Sequence, residues 1–432
     1  MGYGLLLVYI VVLFIRPMEW VPGMTGMPLV NIVAILTIMA TALMAPQSGW
    51  RFRSAPQNGL MLGFFAAILM SHISHTFFGA LTGALQEFGK IVILYFLIVL
   101  NVNTVKRLKG LIAVLILGAL FLALHGTLQW HYGSGFGGQF PIFDRGVARV
   151  VGFGFFNDPN DMALMMLTVL PFLLSGVHRE GRNGLGRIVS LAAVGLVCYC
   201  VFRTNSRGGW LAMGAMLTAY FVVNFAARKK TAVVVGVCAV AAMFVLGPSR
   251  MGGTSATESS ARGRLIAWTS GNVMLKRWPV FGAGEGRFLE FAEDGKVAHN
   301  SFVHCYAELG LFGYFFWLAL LGSSLKDAYV IGRQPKRPPV TQEDDEDQRQ
   351  LKRIAQAGTA SLVGYMAGAF FLSRTYIVPL YVLFALFASL RAIHDARFGA
   401  APGLFEKRDL KYVLAGTLGT IPAVYVLLRV TL

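Results

Sequence analysis

A chain that crosses a lipid bilayer must satisfy its backbone hydrogen bonds within each crossing segment or around a closed barrel. This sequence is dominated by segments that face that constraint. Thirteen apolar runs approach the length of a bilayer core, at 3–15, 28–45, 59–75, 91–102, 111–128, 162–178, 188–202, 210–227, 231–247, 310–325, 355–373, 376–393 and 411–431. They lack the period-two alternation of barrel strands, so helices are expected. Composition agrees, with 56% hydrophobic and 14% charged residues, far more apolar than an ordinary soluble domain. The expected fold class is all-α, a polytopic bundle of twelve or thirteen transmembrane helices, since several of the runs are short. Residues 1–247 hold the first nine, 248–309 form one long loop, and 310–432 hold the rest with a loop at 326–354.

Met1 leads directly into an apolar run with no basic stretch before it and no small-residue cleavage site after it, so the first segment is expected to remain as a helix. Cys198, Cys200, Cys238 and Cys305 show no metal-ligand spacing and lie mostly inside apolar runs. They read as small packing residues. The stretch 333–353 is proline-broken and charge-blocked, and is expected to be a solvated flexible loop. No phosphate-binding loop, dinucleotide fingerprint or internal repeat is present, and no nucleic acid partner is expected.

Loop charge orients the chain. Alternating the loops from a cytoplasmic N-terminus puts 23 of the 38 basic residues in one set, and seven of the other 15 fall in the single loop 248–309. Long loops count little toward topology, so the first set is expected on the cytoplasmic side and the long loop outside. The outer basic residues then run against the rule and need another explanation. Twelve of them are arginine and three lysine. A guanidinium keeps its charge when half-buried and presents a planar fork to phosphate oxygens, so a phosphate-bearing substrate is expected.

Three places supply these arginines. The loop 129–161 carries Arg145 and Arg149 ahead of a glycine-rich turn and Asn157–Asp161, where Asp158 or Asn160 caps the following helix; a turn-and-cap role competes with a site role for Asn157, Asp158 and Asn160. The turn 203–209 carries Arg203 and Arg207 at a helix boundary, with Gly208 and Gly209 leaving the backbone open to a ligand; Arg207 reads either as an anion contact or as an interfacial anchor. The long loop carries Arg262 and Arg264 at the start of an amphipathic segment whose Leu265, Trp268 and Asn272 share a face, suited to lying in the outer leaflet interface. Gly282, Gly284 and Gly286 follow as a flexible turn.

Histidine is the side chain best placed to take a proton near neutral pH. Of the eight present, His72, His75 and His125 sit in or beside apolar segments, His131 lies in a loop, and His178 and His394 fall on the cytoplasmic side. His299 shares the arginine face, at the mouth of a helix and beside Asn300. A cap or packing role is the competing reading for His299, and His304 reads as packing or support.

At these residues the sequence resembles the O-antigen ligase family, whose superfamily includes O-antigen polymerases and bacterial protein O-oligosaccharyltransferases. The resemblance rests on Arg149 to Asn160 with Gly-Phe-Phe-Asn-Asp-Pro-Asn, Ser206-Arg207-Gly208, Arg262-Gly-Arg264-Leu with Trp268, Pro279 to Gly284, and His299-Asn300 followed by Glu308-Leu-Gly-Leu-Phe-Gly. It covers residues 145 to 320 well and the remainder by helix number only. The resemblance implies a C-type glycosyltransferase fold acting outside the bacterial inner membrane with no metal ion or other cofactor. It implies transfer of a glycan from undecaprenyl diphosphate to a sugar of the lipid A core, with inversion. Carried over residue by residue, His299 is the base that activates the acceptor hydroxyl. Arg149, Arg207 and Arg264 hold the diphosphate, and Arg145, Arg262 and Asn300 are further substrate contacts. Both substrates are lipid-borne, which implies a lateral opening among membrane lipids. Twelve helices return the C-terminus to the cytoplasm, whereas thirteen runs place it outside.

An O-antigen polymerase or a protein O-oligosaccharyltransferase shares the donor and differs in the acceptor, for which the sequence has no motif. A transporter of anionic lipid-linked sugars calls for ionisable residues at mid-membrane depth and a repeat. Here the charges lie near segment ends and no repeat is found.

Overall fold

The computed structural model describes residues 1–44, 55–144, 146–177, 183–224, 259–293, 295–335 and 341–431. In chain order its helices are α1 (Gly2–Ile15), α2 (Pro17–Trp20), α3 (Leu29–Met44), α4 (Pro56–Ile73), α5 (Phe78–Asn101), α6 (Val105–Tyr132), α7 (Pro159–Val177), α8 (Gly184–Arg203), α9 (Arg207–Asn224), α10 (Ser259–Arg277), α11 (Phe288–Phe291), α12 (Ser301–Arg333), α13 (Gln342–Ala369), α14 (Val378–Phe398) and α15 (Leu410–Thr431). The one departure from a helical fold among these residues is a small antiparallel hairpin, β1 (Ile142–Asp144) and β2 (Val147–Arg149), with Ile142 opposite Arg149.

Eight helices among the described residues are long and apolar enough to cross a membrane: α1 continued by α2, α5, α6, α7, α8, α12, α14 and α15. The chain is therefore a multi-pass helical membrane protein, with eight such spans among the described residues. The helices α3, α4, α9 and α13 are shorter or partly polar, and the run 231–247 lies outside the described residues. Short apolar runs were parts of longer helices, 91–102 being the second half of α5 and 310–325 the middle of α12.

The expected loop at 326–354 is mostly helix. α12 continues to Arg333 and α13 begins at Gln342. Charge blocking suggested disorder, but Thr341 caps α13 by accepting the Asp344 N–H, and Glu343, Asp344 and Asp345 occupy the first turn. Carboxylates there face the positive end of the helix dipole and favour the helix.

The bundle packs around α13. Its Ala-Gly-Thr-Ala-Ser-Leu-Val-Gly-Tyr-Met-Ala-Gly-Ala stretch lets backbones approach closely, as small residues do between membrane helices. A side chain at Gly364 or Gly368 would run into Met216 of α9 or Leu164 of α7. Ser361 adds a hydrogen bond to the Thr168 carbonyl of α7 at 2.6 Å.

α12 is broken where it crosses the long loop. Gly310 has φ 62 and ψ −167, which frees backbone groups on both sides of the break. The turn 279–284 takes them up: the Ala307 and Glu308 carbonyls accept from Ala283 N at 2.9 Å and Gly284 N at 3.0 Å, while Leu311 N and Phe312 N donate to the Pro279 and Val280 carbonyls at 2.8 and 3.1 Å. A Cβ on Gly282 (φ 70) would overlap the Glu308 backbone. The glycines expected to give a flexible turn instead permit backbone-to-backbone docking that satisfies an unwound helix.

Candidate functional site

The loops singled out by sequence meet at one end of the bundle. Loop 133–158 is pinned there by aromatic packing, with Trp20 against Phe121, Phe136 and Phe153, and by the Glu19 carboxylate accepting the Gly154 N–H at 2.8 Å. Strand β2 is held to the turn between α8 and α9, because Asn205 Nδ2 donates to the Ala148 carbonyl at 2.9 Å and Arg149 Nε to the Thr204 carbonyl at 2.9 Å.

Arg149 is a half-buried residue whose guanidinium is spread over three acceptors. Besides Thr204 it reaches Asn160 Oδ1 at 3.0 Å and Asp144 Oδ2 at 3.4 Å. Asn160 Oδ1 also accepts from Ser206 Oγ at 2.7 Å, and Ser206 Oγ accepts the Gly209 N–H at 3.0 Å at the start of α9. The expected cap of α7 is present: Asp158 Oδ1 accepts from Asn160 N at 2.8 Å and Asp161 N at 3.2 Å. Asn160 is the bridge to the arginine, so capping and site duties are divided between the two residues.

Arg207 opens α9 and is half-buried. Gly208 and Gly209 do not leave a path for a ligand, contrary to expectation. A Cβ on Gly209 would lie 3.0 Å from Ala163 Cβ, and one on Gly208 would lie 3.2 Å from Phe371 Cβ, so α7 and the loop 370–377 fill that space.

The long loop is built around α10. This helix does not lie free along a lipid surface as expected; its Trp268–Asn272 face docks on α12 and the segment before it. Trp268 is buried and its Nε1 donates to the Ala298 carbonyl at 2.8 Å, and Asn272 accepts the Tyr306 hydroxyl at 2.6 Å. Arg264, one turn before Trp268 on the same face, is half-buried, whereas Arg262 is exposed. Arg145 lies outside the described residues.

His299 is half-buried and adopts φ 48, a left-handed conformation. Four non-glycine residues do so among those described, Arg16, Thr76, Asn205 and His299, and each sits in a connection at this end of the bundle. Such conformations cost free energy, about 1–3 kcal/mol each, and persist where surrounding structure enforces them. Asn300, expected as a substrate contact, is buried and caps α12: its Oδ1 accepts from Phe302 N at 2.9 Å and Val303 N at 3.2 Å. Its Nδ2 is buried and has no hydrogen-bond partner.

Residues 191–318, from α8 to the middle of α12, match the family model described as O-Antigen ligase. Over this segment the chain is similar to the O-antigen ligase family. The family comprises transferases that use undecaprenyl-diphosphate-linked glycans. The matched segment contains Arg207, Arg262, Arg264, His299 and Asn300, while Arg149 reaches it through Thr204. No curated protein matches the chain.

One residue outside the matched segment was not singled out by sequence. Arg374, in the turn between α13 and α14, pairs through Nε with Asp161, lies 3.6 Å from Asp158, and donates its backbone N–H to Ser301 Oγ at 2.8 Å. Ser301 Oγ in turn donates to the Leu372 carbonyl at 2.6 Å. The available signal was an arginine in the two-residue gap between the apolar runs 355–373 and 376–393. No motif marked it.

Beneath this layer His304 Nε2 lies 3.3 Å from Glu308 Oε1, which also accepts the Phe288 N–H at 3.0 Å. The pair ties α11 to α12, which fits the supporting role read for His304.

Proposed function

We propose that the chain is an O-antigen ligase that joins a glycan from undecaprenyl diphosphate to a sugar of the lipid A core on the periplasmic face of the bacterial inner membrane. The observation that carries the reading is the meeting of Arg149, held on Thr204, with the segment similar to O-antigen ligases that bears Arg207, Arg264 and the left-handed His299. Loop charge supports the orientation, because the site end of the bundle is the end opposite the short basic loops.

In this reading His299 takes the proton of the acceptor hydroxyl as the oxygen attacks the anomeric carbon. The bond to the diphosphate oxygen breaks on the opposite side, so the anomeric centre inverts. Negative charge then grows on the leaving diphosphate, where Arg149, Arg207 and Arg264 stabilise it, with Arg145 and Arg262 as further contacts. Preorganised cations aimed at developing charge lower the barrier because they need little reorganisation during the reaction. Arg149 is fixed in this sense, being held by Thr204 and Asn160. Asn300 keeps α12 capped through its oxygen, and its buried Nδ2 is the donor it would offer to substrate.

The test is transfer in vitro from an undecaprenyl-diphosphate glycan, with a lipid A core acceptor and a pilin-like peptide offered separately, in buffer containing EDTA. Transfer to the core that falls at least 100-fold in His299→Ala and persists in EDTA is expected. Transfer to the peptide or to growing glycan alone replaces the ligase reading with a protein O-oligosaccharyltransferase or a polymerase. Full activity in His299→Ala removes the base assignment.

A further inference from the structure

The left-handed backbone at His299 needs an agent that enforces it. Three contacts bracket the residue. On its N-terminal side the Ala298 carbonyl is held by the buried indole N–H of Trp268 at 2.8 Å. On its C-terminal side Asn300 is fixed by capping α12, and Ser301 is fully buried with its hydroxyl and carbonyl engaged: the hydroxyl donates to the Leu372 carbonyl at 2.6 Å and accepts the Arg374 N–H at 2.8 Å, and the carbonyl accepts from Thr375 Oγ1 at 3.1 Å.

The turn that grips Ser301 is itself fixed. Tyr365 and Tyr381 donate to the Arg374 and Thr375 carbonyls at 2.6 and 2.7 Å, and the Arg374 guanidinium is anchored on Asp161 of α7 with Asp158 beside it. Asp161 adjoins Asn160, whose side chain holds Arg149. A continuous set of polar contacts therefore runs from Arg149 through the start of α7 and the turn 370–377 to the residue two places after His299. The second grip, from α10, begins one turn beyond Arg264.

We propose that Trp268 and Arg374 are positioning residues that clamp His299 from its two sides and set it in register with the arginines. This rests on the assignment of His299 as the base. Neither residue touches the reacting atoms. Trp268 acts through the Ala298 carbonyl, and Arg374 acts through Ser301 and Asp161. A backbone displacement of about 1 Å at a reacting group costs on the order of 100-fold in rate, so loosening either grip is expected to act on turnover and to spare donor affinity.

Two measurements on the full-length protein in detergent micelles test this. The first is a thermal-unfolding cycle that needs no activity. His299→Gly relieves a backbone strain only where the clamp imposes it, so it is expected to raise the apparent Tm in the wild-type background and to lose most of that gain in the Trp268→Phe background. An equal gain in both backgrounds, or none in the wild type, overturns the clamp. The second is transfer kinetics. Trp268→Phe keeps an apolar aromatic ring and removes the donor; it is expected to lower kcat at least tenfold with donor KM within twofold. Arg374→Lys is expected to recover part of what Arg374→Ala loses, because an ammonium still reaches Asp161. Wild-type kcat in Trp268→Phe overturns the positioning role even if the thermal cycle behaves as expected. A wild-type protein that transfers to no acceptor overturns the functional reading alone, since the thermal cycle still reads the clamp.

Discussion

The two ends of the bundle handle buried polarity in different ways. At the end away from the site, Asp327 is almost fully buried and closed on every side: Arg391 Nη1 lies 2.9 Å away, Gln57 Nε2 3.0 Å and Phe405 N 2.7 Å, while Arg391 Nε reaches Asp395 at 2.6 Å. This network joins α4, α12 and α14 mainly through side chains borne on helices, with the Phe405 N–H as its one backbone donor, and Lys326 to Asp409 adds a link at 2.7 Å. At the site end the polar contacts run largely through loop backbone, and the left-handed residues Arg16, Thr76, Asn205 and His299 sit among them. One end spends its polar groups on holding helices together. The other uses them to hold loops in conformations they would not adopt alone.

If that contrast is right, the largest stability losses belong to the far end. Asp327→Ala leaves Arg391 Nη1, Gln57 Nε2 and the Phe405 N–H without their shared buried acceptor, and a loss of about 3–5 kcal/mol is expected, read as a large drop in apparent Tm. The protein that remains folded should keep the wild-type turnover number. Gly282→Ala comes next: the added methyl meets the Glu308 backbone at a positive φ, and about 2–3 kcal/mol is expected from overlap and strain together. Its signature is faster amide exchange at Leu311 and Phe312, which no far-end substitution should produce. Ser301→Ala removes one hydroxyl that both donates and accepts at the site end; about 1–3 kcal/mol is expected, together with a fall in kcat. A Ser301→Ala enzyme that loses stability and keeps full turnover would erase the distinction between the two ends. The smallest effect is expected at Thr341→Ala, which removes the cap of α13 for about 1 kcal/mol and should leave transfer unchanged.

The bundle was legible because apolar runs have a length and period that only helices satisfy in lipid. Helix limits were less so. The blocked acidic stretch after Thr341 has the composition of a flexible loop, and only the placement of its carboxylates in a capped first turn makes it helical. The arginines and His299 stood out because positive charge on that face ran against the topology rule. Asp161, Ser301 and Arg374 did not, because their importance lies in contacts between residues 213 and 73 positions apart in the chain, and no local pattern encodes such pairings. The Gly282 and Gly310 docking was hidden for a related reason: a glycine-rich turn and a helix break look like two weak points until each is seen to supply the other's missing backbone partners.

The link between Asp161 and Arg374 also has a consequence for biosynthesis. α7 enters the membrane long before the turn that follows α13 has been translated. Throughout that interval the start of α7 lacks its guanidinium partner and Ser301 lacks its grip. The chain can thus insert most of its helices, arginines and candidate base included, while remaining catalytically incompetent. Competence arrives late, when residues 370–377 reach the site end and close the last contacts, so a chain interrupted after α13 should be found in the membrane yet inert.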